Sequence, residues 1–209
     1  MNVFDKPIVM IDFETTGLSP DMGDRITEVA ALRIEGGRIT DRYVTLINCN
    51  ARIPSFITGL TGITQAMVDK APPVAEVVPQ LLDFIGSDAL SAHNASFDEK
   101  FLRAESARLN LTPAHQSLVC SLKLSRRVFP GMASYKLGQL SSQLGIAFKS
   151  AAHRAESDAE VAAQVLIHIG RHLRSSYGIA DVDADLLVSL NKLAAAKVPQ
   201  FLQKHPSRR

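Results

Sequence analysis

The sequence contains only two cysteines, Cys49 and Cys120, among its 209 residues. Two cysteines are too few for a disulfide framework, and they lack the spacing of metal ligands, so we expect ordinary thiols in a reducing compartment. No stretch approaches the roughly 18 apolar residues of a transmembrane helix, and the N-terminal MNVFDKP has no long apolar run. These absences favour a cytoplasmic protein that has no membrane partner.

The sequence has no strong excess of positive or negative charge. It also contains no internal repeats and no low-complexity tracts. Its formal net charge of +2 permits an anionic partner without requiring one. A composition that is 46% hydrophobic and 21% charged is ordinary for a globular protein, and the length suits one domain with or without a short tail.

The order of the predicted elements indicates an α/β fold. KPIVMIDF is apolar on both faces, which is typical of a buried strand, and RITEVAALRI and RITDRYVTLI are joined by EGG, which predicts a hairpin. The chain therefore opens with three strands, of which the second and third are antiparallel. Helices and short strands then alternate, which predicts a mixed central sheet flanked by helices over residues 1–177.

Three local patterns give more specific expectations. Pro79 lies within the helical pattern VAEVVPQLLDFIG, so we expect that helix to be kinked or to start late. Ser96 and Glu99 have the spacing of a capping box, which predicts a helix with Ser96 as its N-cap. Residues 178–209 are interpreted as a C-terminal extension, in which an amphipathic helix at 183–196 precedes a polar, basic tail. That helix could pack on its own domain or dock onto a partner.

Two acidic residues stand one residue apart at the end of the first predicted strand. Because alternate strand residues share a face, Asp12 and Glu14 point the same way, with Ile8 and Met10 behind them. Two carboxylates about 5 Å apart repel each other by roughly 3 kcal/mol at an effective dielectric constant near 20. Solvent, a proton or a cation must therefore offset this repulsion.

Two further clusters contain acidic residues. HNASFDEKF places Asp98 in the first turn of a helix, where the helix dipole alone could account for it. HRAESDAEV places Asp158 in line with the apolar stripe of a long helix, and burial of an unpaired charge there would be expensive. Positions five apart differ by about 140° around a helix, so His153 can face the same site only from the preceding loop.

The four acids are hard oxygen donors and no cysteine accompanies them, so they suit magnesium or manganese rather than zinc. Two such ions about 4 Å apart stabilise the attacking and leaving oxygens in a phosphoryl displacement. A histidine with a pKa near 6.5 is a natural base for the attacking water. A pair of cations is therefore our hypothesis for what neutralises the acids.

In order, DFETTG, HNASFD and HRAESD resemble the three motifs of the DEDDh 3′–5′ exonuclease superfamily, and within it the epsilon proofreading subunits of bacterial DNA polymerase III. The resemblance covers roughly residues 7–176. It implies a ribonuclease H-like fold and a two-ion enzyme that releases nucleoside 5′-monophosphates from single-stranded 3′ ends. It favours DNA over RNA, with RNA 3′-end trimming by an oligoribonuclease-like enzyme as the alternative. A DNA polymerase subunit is a candidate partner, and a docking subunit that acts mainly through its C-terminal extension is an alternative of another class.

The resemblance also implies a role for each matching residue. Asp12 would bridge both ions, Glu14 and Asp158 would complete the tightly held site, Asp98 would hold the second ion, and His153 would deprotonate the attacking water. Six further residues are candidates for substrate binding. Thr15, Thr16 and Gly17 would meet the terminal 3′-hydroxyl, Leu18 and Phe97 would wedge or stack against bases unless they are packing residues, and Asn94 would order the loop around Asp98.

Overall fold

A mixed five-stranded sheet forms the centre of the molecule. The structure is a computed structural model that describes residues 2–147, 153–180 and 182–205. The strands are β1 (Ile8–Thr15), β2 (Ile26–Glu35), β3 (Arg38–Leu46), β4 (Ala89–Ala92) and β5 (Leu118–Cys120), in the order β3-β2-β1-β4-β5. The first three strands pair antiparallel, whereas β1, β4 and β5 pair parallel. The predicted α/β class, the three-stranded opening and the hairpin are confirmed.

Helices cover both faces of this sheet. They are α1 (Ser55–Thr61), α2 (Gln65–Val68), α3 (Val74–Ile85), α4 (Ala95–Arg108), α5 (Ser121–Val128), α6 (Leu137–Gln143), α7 (Ala155–Tyr177), α8 (Ala184–Lys192) and α9 (Val198–Gln203). Short 3₁₀ turns lie at Pro20–Met22 and Ala195–Lys197. Within the described part of the chain, no helix has the length and apolar character needed to cross a membrane.

Strand β1 separates two hydrophobic cores. Ile8 and Met10 belong to the core that contains α7, whereas Val9, Ile11 and Phe13 belong to the core that contains α3 and α4. Side chains alternate along a strand, so Asp12 and Glu14 continue the row of Ile8 and Met10 toward the beginning of α7. The alternation of side chains along β1 therefore places Asp12 and Glu14 on the face that is covered by α7.

The structure excludes one of the two alternatives given for α3 and contradicts the predicted start of α4. Helix α3 begins at Val74 with Pro79 inside it, so the late start is excluded and a kink at Pro79 stays a prediction. Helix α4 begins at Ala95 after Asn94, whose φ of 86° turns the chain sharply out of β4, so Ser96 lies inside the first turn and is not the N-cap. The tight connection from β4 overrides the capping-box pattern.

The C-terminal segment packs on the rest of the molecule. Leu186, Leu187 and Leu190 of α8 are buried in the core that contains α7, so the apolar face of this helix is not free for a partner in this structure. The predicted polar tail is also wrong in part, because α9 buries Val198 and Leu202. Residues 206–209, the end of the predicted basic tail, lie outside the described residues.

One side chain pairs α8 with the edge of the sheet. The Asn191 amide nitrogen donates to the carbonyl of Cys120, 3.1 Å away, and its oxygen accepts from the Cys120 amide at 2.8 Å. These two bonds satisfy backbone groups of β5 that lack a neighbouring strand. Both Cys120 and Cys49 are buried free thiols.

We expect Asn191→Ala to lower the free energy of unfolding by about 1–3 kcal/mol, because it leaves two backbone groups of Cys120 without partners. Urea denaturation followed by circular dichroism would measure this. The exposed neighbour Lys192 provides the control, since Lys192→Ala should change the free energy by less than about 0.5 kcal/mol. Equal effects of the two substitutions would contradict a specific role for Asn191.

Candidate active site

Three carboxylates from distant parts of the chain meet beside the sheet. Oxygen atoms of Asp12, Glu14 and Asp158 lie within 4.8 Å of one another, and all three side chains are partly buried. Asp12 and Glu14 come from the end of β1, and Asp158 comes from the first turn of α7. The packing of α7 against β1 brings these side chains together.

Asp98 joins this group from another helix. It lies in the first turn of α4 and is only 3% exposed, and the backbone groups of Asp98 itself and of Phe13 act to lower its pKa against the larger effect of burial. It is close enough to Asp12 and Glu14 to repel both, although it is not one of the three acids whose oxygens lie within 4.8 Å of each other. The four acids from three segments therefore form one cluster, with Asp98 on its β4–α4 side.

Burial makes the charged form of every acid in this cluster costly. Burial, followed by repulsion from Asp98, Asp158 and Glu14, raises the pKa of Asp12 well above its ordinary value. Burial is also the main cause that raises the pKa of Glu14 to about 7, that of Asp98 to about 8, and that of Asp158 in the same direction. Without a compensating positive charge, the cluster retains protons at neutral pH.

The donor set fits a hard divalent cation. Carboxylate oxygens are the ligands that Mg²⁺ and Mn²⁺ favour, and no sulfur ligand is present in the group. Because such a cation favours the ionised carboxylates, it would replace the protons that burial and repulsion otherwise retain.

His153 lies in the loop immediately before α7, as the angular argument predicted. Its side chain is exposed, and its backbone amide donates to Oδ2 of Asp158, 3.0 Å away. Its φ of 63° is left-handed, a conformation that a residue with a Cβ adopts only at a cost in free energy. Surrounding contacts must therefore hold this backbone in place.

Glu28 and Arg154, which lie outside the predicted set of site residues, supply such contacts. Glu28 on β2 pairs with Glu14 in the β1–β2 register and is only 3% exposed. Its carboxylate accepts from Nε and Nη2 of Arg154 and, at 2.9 Å, from the backbone amide of Ala155. A glutamate in the apolar run ITEVAAL indicates a buried charge that needs a partner. The identity of that partner depends on the fold and could not be predicted from the sequence.

Hydrogen bonds hold the turn after β1 from within and from the neighbouring segment at Arg25. The Thr15 hydroxyl donates to the Gly17 carbonyl at 2.6 Å, and the Thr16 hydroxyl accepts from the Arg25 amide at 3.0 Å. A Cβ on Gly17 would lie 2.4 Å from both carboxylate oxygens of Asp24, so only glycine fits here without displacing that side chain. Leu18 follows this turn and is 84% exposed.

Asn94 and Phe97 shape the opposite side of the cluster. Asn94 is the N-cap of α4, and its carbonyl accepts from the Phe97 amide at 2.9 Å. Phe97 is partly buried, and its ring lies 5.0 Å from that of Phe101. Of the two apolar candidates for base contact, Leu18 is open to solvent, whereas Phe97 is largely engaged in packing.

Comparison with known proteins places this arrangement in a family. The sequence profile of the exonuclease family matches residues 9–166, which is most of the chain. The chain belongs to the exonuclease family. The resemblance inferred from the three motifs is thereby confirmed, and the chain is an enzyme, a 3′–5′ exonuclease.

Individual relatives agree with this assignment. The exonuclease is 36% identical to the DNA polymerase III subunit epsilon of Aquifex aeolicus over 180 residues, 86% of this chain and 88% of that protein. It is 40% identical over 166 residues to the 3′-5′ exonuclease DinG of Bacillus subtilis, which covers 79% of this chain but only 18% of DinG. The structure of Exonuclease X in complex with 5′ overhanging duplex DNA has a TM-score of 0.69 and 26% identity, covering 88% of this chain and 99% of that chain. The predicted ribonuclease H-like fold is confirmed.

We expect the thermal stability of the metal-free exonuclease to fall as pH rises from about 6 to 8.5. Glu14 and Asp98 have raised pKa values in the folded protein, so they hold protons there that the unfolded chain has already lost, and this contribution to stability disappears as the two groups ionise. Manganese should therefore raise the unfolding temperature more at the higher pH. Differential scanning fluorimetry in EDTA and in excess MnCl₂ measures both effects.

Two substitutions provide the controls for this experiment. Asp12→Asn should weaken the pH dependence of the metal-free protein, because it removes one of the mutually repelling acids. Asp21→Asn, at a largely exposed side chain, should leave the dependence intact. A manganese effect of the same size at both pH values would contradict competition between protons and ions.

Proposed function

We propose that this exonuclease hydrolyses the terminal phosphodiester at the 3′ end of single-stranded DNA and releases nucleoside 5′-monophosphates. The observation that carries the proposal is the convergence of Asp12, Glu14 and Asp158, with Asp98 beside them, in a setting that disfavours their charged forms. Such a cluster suits a pair of divalent ions, either Mg²⁺ or Mn²⁺.

Each acid has a place in this proposal. Asp12 would contact both ions, Glu14 and Asp158 would complete the tighter site, and Asp98 would hold the second ion directly or through water. Bound divalent ions would supply electrostatic stabilisation of the charge that develops on the phosphoryl oxygens. The burial of Asp98 supports it as a fixed oxygen donor.

His153 serves as the general base. Its position outside helix α7 leaves the imidazole exposed beside the carboxylates. The hydrogen bond from its backbone amide to Asp158 fixes its backbone. A ring nitrogen takes a proton from the attacking water as the water oxygen bonds to phosphorus. The bond from phosphorus to the 3′-oxygen of the penultimate nucleotide breaks in the same displacement, and that oxygen leaves with the electron pair and takes a proton from solvent.

The turn at Thr15–Gly17 and the exposed Leu18 form the proposed binding site for the terminal nucleotide. The hydrogen bonds from Thr15 to Gly17 and from Arg25 to Thr16 hold this turn, so its backbone is preorganised to meet the 3′-hydroxyl. Leu18 is free to press against a base, with Phe97 as the second apolar contact and Asn94 as a support for the loop near Asp98.

DNA is the favoured substrate because the relatives named above include a DNA polymerase III subunit and a nuclease in complex with DNA. Cleavage of short RNA would use the same groups and is the alternative outcome. A polymerase subunit as partner is suggested by the first of these relatives. The buried apolar face of α8 gives no support to docking through that face. We propose an exonuclease domain spanning residues 1–177 with residues 178–209 as its C-terminal extension, in which α8 and α9 pack on the domain.

The direct test is digestion of oligonucleotides in MnCl₂. A single-stranded DNA labelled at its 5′ end should shorten from the 3′ end one nucleotide at a time, with nucleoside 5′-monophosphates as products. EDTA should stop the reaction, and fully paired DNA and RNA of the same sequence should be cut more slowly. Preferential cleavage of RNA would replace the DNA proposal, and internal cleavage would contradict the exonuclease assignment.

We expect Asp12→Ala and Asp158→Ala each to abolish turnover, because each removes proposed ion ligands. Asp185→Ala removes an exposed acid from α8 and should retain the parental rate. Single-turnover digestion at saturating MnCl₂ provides the measurement. Parental rates in either of the first two variants would exclude that residue from the proposed site.

We expect His153→Ala to lower the rate of hydrolysis by about 10²–10⁴-fold, because it removes the proposed base. Its affinities for Mn²⁺ and for a single-stranded oligonucleotide should stay near the parental values, as measured by calorimetry and fluorescence anisotropy. A parental rate would show that another group takes the proton from water.

A further inference from the structure

The pair formed by Glu28 and Arg154 has no role in the proposed chemistry, yet it lies directly behind the site. Glu28 points from β2 next to Glu14, and its carboxylate is almost fully buried. Its two oxygens accept from two nitrogens of Arg154 and from the Ala155 amide. Both oxygens are therefore already engaged, which makes Glu28 a poor candidate for another ion ligand.

The contacts of Glu28 fall on the two residues that follow His153. Arg154 is fixed through its side chain, and Ala155 is fixed through its backbone amide. The amide of His153 itself is bound to Asp158. Three consecutive residues are thus held by two carboxylates, and His153 is the first of the three.

This restraint acts next to His153, whose backbone conformation is unfavourable. His153 has a left-handed φ of 63° and a side chain exposed to solvent, so its own packing contributes little to its position. A peptide that enters a helix through such a residue needs fixed contacts on the helix side. The bidentate geometry of the arginine side chain restricts both the direction and the distance of the loop from β2.

We propose that Glu28 and Arg154 are positioning residues that hold His153 against the carboxylate cluster. This inference rests on the proposed function, in which His153 is the general base. In this inference, the ion pair between Glu28 on β2 and Arg154 before α7 keeps the imidazole of His153 at a fixed distance from the attacking water. Neither residue contacts the substrate or an ion in this scheme.

The decisive test compares Arg154→Ala in two backgrounds. In the parental enzyme the substitution should lower kcat about 100-fold, since a displacement of about 1 Å in a catalytic group costs that much. In the His153→Ala enzyme it should lower kcat by less than about threefold, because the group it positions is already absent. The same loss in both backgrounds would overturn the inference.

Two binding measurements separate positioning of His153 from an effect on the ion site. Arg154 is close enough to Glu14 to lower the pKa of that acid, so its removal could instead weaken ion binding. The inference requires the Mn²⁺ affinity and the KM for the oligonucleotide to stay within about threefold of the parental values. A loss of Mn²⁺ affinity as large as the loss of kcat would overturn it.

Arg42 provides a matched control. It also joins the sheet to α7, but its hydrogen bonds go to the side chains of Glu156 and Glu160, which follow the segment from His153 to Ala155. Arg42→Ala should therefore retain the parental kcat. A comparable loss in this variant would attribute the effect of Arg154 to general attachment of the helix and overturn the inference.

Removal of Arg154 leaves the buried Glu28 carboxylate without its positively charged partner, which destabilises the fold, so a second variant is needed. The combined substitution Glu28→Gln with Arg154→Gln removes both charges together and keeps a polar pair at the position. It should fold, as shown by its circular dichroism, and should show the same kcat loss and the same dependence on His153. A folded double variant with parental kcat would overturn the inference.

Hydrogen–deuterium exchange tests the restraint without relying on activity. Peptides that contain the Ala155 amide should exchange faster in Arg154→Ala than in the parental protein, and no faster in Arg42→Ala. Unchanged exchange in Arg154→Ala would overturn the inference. If the parental protein fails to digest DNA, the proposed function is wrong, and the exchange data still decide whether the pair restrains this segment.

Discussion

Repulsion among buried carboxylates is the constraint on which the rest of this structure depends. Four acids are gathered from β1, α4 and α7 into a region where burial and mutual repulsion both favour protonation. A protein that only had to fold would gain stability by replacing them with apolar side chains. Divalent ions would convert this unfavourable group into a strong binding site. The same clustered carboxylates therefore destabilise the metal-free fold and would bind the ions that the reaction needs.

The fold supplies the rigidity that such a site needs. Strand β1 lies in the middle of the sheet, with a hydrophobic core on each face, so the end that carries Asp12 and Glu14 cannot move independently. The loop that carries His153 has less packing, because the side chain of His153 is exposed. There, bonds to Asp158 and the pair formed by Glu28 and Arg154 replace packing as the source of order.

Residue periodicity was sufficient to predict the parts of the site that depend on local geometry. The spacing of Asp12 and Glu14 fixed their common face, and the spacing of His153 and Asp158 correctly placed the histidine in a loop. Contacts between distant segments could not be obtained this way. The N-cap at Asn94 depends on how β4 meets α4, the pair of Glu28 with Arg154 depends on the docking of α7, and the packing of α8 depends on an edge strand that Asn191 completes.

The most direct test of the central claim is a crystal structure of the enzyme soaked with manganese and a nucleoside 5′-monophosphate, with anomalous data collected to locate the ions. We predict anomalous density between the carboxylates of Asp12, Glu14 and Asp158, a second peak on the side of Asp98, and the nucleotide phosphate beside both. Carboxylates that stay close together without any anomalous density at saturating manganese would contradict this account.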